Sequence, residues 1–103
     1  MSNHQNDGNA NSQVSVIHRA LERLADQIRV LYCAKVEIEI FPSNAMMLDI
    51  FYQDRLFVID YSPNSGFGVD EIKESEGFIT SYNFYTNEID LAEQQIYKLI
   101  EQL

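Results

Sequence analysis

From residue 13 to residue 33 the apolar side chains fall at Ile17, Ala20, Leu21, Leu24, Ile28 and Leu31. Steps of mostly three and four residues gather them on one stripe of a helix. Arg19, Glu22, Arg23, Asp26 and Arg29 take the opposite side, and Ser12 or Ser15 suits the cap. The period then changes. Lys35 to Phe41 alternates, with Val36, Ile38 and Ile40 facing one way and Lys35, Glu37 and Glu39 the other, as in a strand. Pro42-Ser-Asn44 breaks it.

Residues 46–62, MMLDIFYQDRLFVIDYS, read as a hairpin turning at Gln53-Asp54. That register sets Tyr52 opposite Arg55, Ile50 opposite Phe57 and Leu48 opposite Ile59, which collects one strongly apolar face. The other face carries Met47, Phe51, Leu56 and Val58 together with Asp49 and Asp60. A sheet wetted on one side shows polar residues there. This second face therefore needs a cover: the protein's own chain, a second copy, or a partner.

The stretch YSPNSGFGVDEI, from Tyr61 to Ile72, has the glycine spacing of a phosphate loop. Such a loop must open a helix, so that backbone N–H groups and the helix dipole meet the anion. Here strand-forming residues follow, no Gly-Lys-Ser/Thr is present, and Asp60, Asp70 and Glu71 bring the wrong charge. The stretch predicts a turn instead, with Pro63 presetting one angle and Asn64 and Gly66 tolerating positive φ. Gly68 then marks a place where another side chain packs close. Glu74-Ser-Glu-Gly77 reads as a further turn and Phe78 to Tyr85 as a fifth strand. Thr86 or Asn87 caps a last helix with the stripe Ile89, Ala92, Ile96, Leu99, Ile100 and Leu103.

These elements predict an α+β fold, a meandering antiparallel sheet of four to five strands flanked by an N-terminal and a C-terminal helix. At 103 residues there is room for one domain, expected over 13–103. Residues 1–12, rich in Asn and without a large apolar residue after Met1, read as a disordered arm. No apolar run approaches the roughly 18 residues a membrane span needs, and no secretory leader is evident. The single Cys33 cannot form an internal disulfide. A cytoplasmic protein is therefore expected.

The charge narrows the partners. Thirteen of the sixteen acidic residues lie beyond residue 35, against only Arg55, Lys73 and Lys98, so the net charge of −9 is concentrated there. Such a surface repels phosphate backbones and anionic lipid, and it suits a basic protein. Catalytic chemistry finds little footing. His18 and Cys33 stand roughly 22 Å apart along one helix and cannot form a dyad. His18 is expected partly exposed and Cys33 buried at the helix end. No G-x-S-x-G occurs for a serine nucleophile. Asp70, Glu71, Glu74 and Glu76 lack the spacing of a calcium loop, and no metal or cofactor is expected. Asp49 and Asp60 invite two readings. They form either a buried acid–base pair or solvated carboxylates near the sheet rim, with Arg55 or Lys35 as candidate partners. The second is preferred. Tyr52, Tyr61, Tyr82 and Tyr85 suit an interface as well as a core.

The run Asp60–Ile72, a later Gly77-Phe78 and the closing helix that begins near Asn87 resemble small bacterial α/β proteins of unassigned role, some of them similar to immunity proteins that sit beside secreted toxins. The likeness spans about residues 46–103. It implies a cytoplasmic, non-enzymatic binding protein and offers no catalytic motif to carry over. The expected function is that of a small module binding another protein, of basic character, through Met47, Asp49, Phe51, Leu56, Val58 and Asp60. The alternatives are a homodimer closed by the same face, and a small ligand-binding protein or enzyme using Asp49 and Asp60.

Overall fold

The computed structural model describes residues 3–73 and 82–102, with side chains from Val14 onward. Helix α1 (Asn3–Tyr32) leads into strands β1 (Lys35–Ile40), β2 (Met46–Tyr52), β3 (Arg55–Ser62), β4 (Gly66–Ile72) and β5 (Phe84–Thr86), and helix α2 (Ile89–Glu101) closes the chain. The strands form one sheet in the order of the sequence, and every neighbouring pair is antiparallel. The fold is therefore the α+β meander that the alternating periods predict. Residues 3–12, expected as part of a disordered arm, are instead the first turns of α1, with no side chain described there. The turn at 74–77 and the first half of the strand expected from Phe78 also lie outside the described residues.

Leu21, Leu24, Ala25 and Ile28 of α1 are buried, but Leu31 is 63 % exposed. The buried stripe runs 21, 24, 25 and 28, and the partly buried Tyr32, not Leu31, packs against the core. Ser12 and Ser15 both lie inside the helix rather than at its start. Cys33 is exposed, with φ of 54°. It occupies the left-handed position that ends many helices and reverses the chain into β1. That backbone requirement, absent from any hydrophobic pattern, overrides the burial expected of a cysteine.

Each turn follows from its residues. Between β1 and β2, Asn44 takes φ of 70° and its N–H donates to the Phe41 carbonyl at 2.9 Å. His18 Nε2, carrying its proton, donates to the Asn44 carbonyl at 2.9 Å and ties α1 to this turn. Gln53 and Asp54 both have positive φ, 51° and 63°, as a two-residue hairpin turn requires. The register is the one expected: Tyr52 faces Arg55, Ile50 faces Phe57 and Leu48 faces Ile59. Between β3 and β4 the Ser65 N–H donates to the Ser62 carbonyl at 3.2 Å, and Gly66 follows at φ of 82°. This is a three-residue loop followed by a left-handed glycine. Gly66 opens a strand, so the YSPNSG stretch is a hairpin and no phosphate loop. At α2 the residue before the helix is Glu88, not Thr86 or Asn87. The Thr86 hydroxyl instead accepts the Glu88 N–H at 3.1 Å.

Both helices pack on the same face of the sheet. The core joins Leu21, Leu24, Ala25 and Ile28 of α1 and Ala92, Ile96 and Ile100 of α2 to the even residues of β1 and β2 and the odd residues of β3 and β4. Tyrosines bind the helices together. Tyr32 donates to Glu101 at 2.7 Å, and Tyr97 donates to Gln27 at 3.2 Å.

Candidate functional site

The strand registers write out the opposite face row by row. Lys35, Phe51, Leu56 and Ile72 form one row across β1 to β4. Glu37, Asp49, Val58 and Asp70 form the next. Glu39, Met47, Asp60, Gly68 and Tyr85 form the third, which reaches β5. All six residues singled out in the sequence, Met47, Asp49, Phe51, Leu56, Val58 and Asp60, therefore share a face. Neither helix packs there. Phe51 is 37 % exposed, while Val58 in the middle row is 4 % exposed. The rows hold five carboxylates and one cation, Lys35.

The carboxylates divide into two groups. Asp70 accepts the Asn83 N–H at 3.1 Å and the Asn83 side-chain amide at 3.0 Å, which fixes the chain as it enters β5. Asp60 accepts the Tyr82 hydroxyl at 2.9 Å. The Tyr82 ring lies on Gly68, where an added Cβ would come within 2.5 Å of a ring carbon. Gly68 is thus the close-packing position expected of it. Burial, the hydrogen bond to Asp60 and its charge hold the Tyr82 hydroxyl well above the usual tyrosine range. Asp60 and Asp70 are structural anchors of this face. Glu37, Glu39 and Asp49 form the second group. Lys35 reaches Glu37 at 3.6 Å and lies over the Phe51 ring at 5.5 Å. Burial pushes the Asp49 carboxyl above its ordinary value, and the charges of Glu37 and Glu39 push it further.

One expectation about these acids changes. Asp49 and Asp60 do not pair with Arg55 or Lys35. The alternation of β3 places Arg55 on the helix side of the sheet. There it grips Glu71 with two nitrogens, each at 3.0 Å. It also donates to the Leu99 and Gln102 carbonyls of the α2 C-terminus at 3.0 and 2.9 Å, and it lies over the Phe57 ring. Parity in the predicted hairpin carried this signal, because Arg55 falls in register with Phe57 and Ile59. The tyrosines divide as well. Tyr61 is buried in the core and the Tyr52 ring packs at a tilt against Tyr32, so of these four only Tyr82 and Tyr85 stand on the helix-free face.

Asp60 is engaged by Tyr82, and the concavity at the hairpin end, lined by Phe51, Arg55, Leu56, Glu71 and Ile72, includes neither Asp49 nor Asp60. Among the described residues no group of histidine, cysteine and carboxylate side chains is placed to hold a metal ion. No helix among them is long and apolar enough to cross a membrane. No protein-family model, curated protein or solved structure matches this chain.

Proposed function

We propose that this protein is a non-enzymatic binding module that holds a basic protein on its helix-free sheet face, in an inhibitory or immunity-type role. One observation carries the reading. An apolar strip of Met47, Phe51 and Leu56, around the buried Val58, stands on the face that neither helix covers, beside Glu37, Glu39 and Asp49. Apolar side chains supply the burial a stable interface needs, and a surplus of one charge selects the partner and speeds its approach. The same acids weigh against nucleic acid as the ligand. They also weigh against a homodimer closed by this face, because a two-fold axis through it would set like charges against like. The free, exposed thiol of Cys33 is in keeping with a reducing, cytoplasmic setting.

The test is capture from a lysate of the source cell by tagged wild type, Phe51→Asp and Arg23→Glu, the last a control on the helix layer. A basic protein retained by wild type and Arg23→Glu but lost from folded Phe51→Asp is the expected result. Equal retention by all three would place the contact elsewhere. Light scattering of the same proteins reports the rival directly, since a dimer split by Phe51→Asp would make the face a self-contact.

A further inference from the structure

The edge of the sheet beside that face is open, and its hydrogen-bonding groups can be assigned. In a two-residue hairpin the residues flanking the turn exchange both backbone hydrogen bonds, and bonded and non-bonded pairs alternate from there. Tyr52 and Arg55 are that first pair. Ile50 and Leu48 therefore also turn their N–H and C=O groups toward β3, while Phe51, Asp49 and Met47 turn theirs toward β1. Their partners there are Lys35, Glu37 and Glu39. Val36, Ile38 and Ile40 are left facing outward along an edge that no other described strand covers. The position of Arg29 agrees, since its Nη2 donates to the Val36 carbonyl at 2.7 Å. Among the described residues nothing bonds the outward groups of Ile38 and Ile40.

Exposed edges are usually blunted by proline, a bulge or charge. β1 has neither proline nor bulge from Val36 to Ile40, and Ile40 is 53 % exposed. Its protection is charge alone, and that charge is selective. A second copy of β1 pairing about Glu37 sets Glu37 against its own copy but Lys35 against Glu39 twice. Pairing about Ile38 sets Glu37 against Glu39 twice. Like charges directly opposite destabilise a sheet, whereas opposite charges contribute. Glu37 and Glu39 thus oppose a copy centred on Ile38 and favour a strand that brings cations opposite both of them.

We infer that the edge of β1 is a strand-addition site for an extended basic segment, with Lys or Arg residues meeting Glu37 and Glu39 and apolar residues between them continuing the row of Ile38 and Ile40. The inference rests on the reading of the helix-free face as the site of a basic partner, and it adds how that partner is gripped: by backbone hydrogen bonds along the edge as well as by side chains on the face.

The probe is an amidated peptide of alternating lysine and valine or isoleucine, seven residues long. Its control is the same peptide N-methylated at alternate backbone nitrogens. Binding to the full chain is read by fluorescence anisotropy and by amide exchange. The expected result has three parts: at least tenfold slower exchange at Ile38 and Ile40, at least tenfold weaker binding of the methylated peptide, and a similar loss on Ile40→Pro. Proline is tolerated at an edge where the N–H faces outward, and the methylated peptide tests the same ladder without altering the protein. No binding by the unmodified peptide, or equal binding of both peptides with no protection at Ile38, would overturn the inference. Binding lost in Phe51→Asp but unchanged in Ile40→Pro would overturn the edge and leave the face standing. The converse would leave the edge and remove the face.

Discussion

Asp49 stands directly across from Glu37 on the helix-free face, with Glu39 one step along the same strand. Its carboxyl is held above the ordinary value, first by burial and then by those two charges. Stability tied to its protonated form is complete below about 3.8 and is lost as pH rises through the elevated folded value. At neutral pH the full penalty applies. Asp49→Asn is therefore expected to stabilise the fold at pH 7, by a few tenths to about 1 kcal/mol. That advantage should shrink as pH is lowered toward 4, read as urea midpoints at the two pH values. No gain at pH 7 would mean the like charges are solvated well enough not to matter. A carboxylate kept at a cost to stability suits a binding surface. Single residues were unevenly legible in the sequence. The close approach at Gly68 was readable because a glycine in a strand invites it. The left-handed Cys33 and the exposed Leu31 were not, since both follow from how the chain leaves α1, which periodicity does not encode.

At the scale of elements, one side chain joins three of them. Arg55 begins β3, grips Glu71 of β4 and closes the C-terminal carbonyls of α2. A cation is favourable at a helix C-terminus, and the planar fork of arginine satisfies the carboxylate at the same time. Arg55→Ala should cost about 2–3 kcal/mol, because it leaves a largely buried carboxylate and the helix carbonyls without a donor. Arg55→Lys should recover only part of this. The pH dependence supplies a second readout. The Arg55 hydrogen bond holds Glu71 below its usual value. The stability it brings is present above about 4.5 and is lost as pH falls through the lower folded value. Urea titrations between pH 5 and pH 3 should show this acid-side loss in wild type and not in Arg55→Ala. An identical slope in both would remove the linkage. The hairpin itself was legible from hydrophobic alternation, which fixes register because a one-residue slip turns every side chain over. The helix start at α2 was less so, because Thr86, Asn87 and Glu88 can each end a strand or open a helix.

The whole molecule is a two-layer arrangement with both helices on one side. Amphipathic helices at the chain ends and short turns between strands made the α+β meander readable. Which face the helices share was not readable, since both sides of the β2–β3 hairpin carry large apolar residues and the stripes of α1 and α2 name no target. The layering turns a sequence oddity, two apolar faces, into a candidate surface: one face closed by helices and the other offering Phe51, with the half-buried Met47 and Leu56, among carboxylates. The most direct test is amide chemical-shift mapping of the labelled protein titrated with the captured basic partner. Shifts and broadening concentrated at residues 35–40, 47–51 and 56–60, with α1 and α2 unchanged, are the expected result. Shifts confined to the helices would contradict the account and would place the partner on the layer opposite the acidic face.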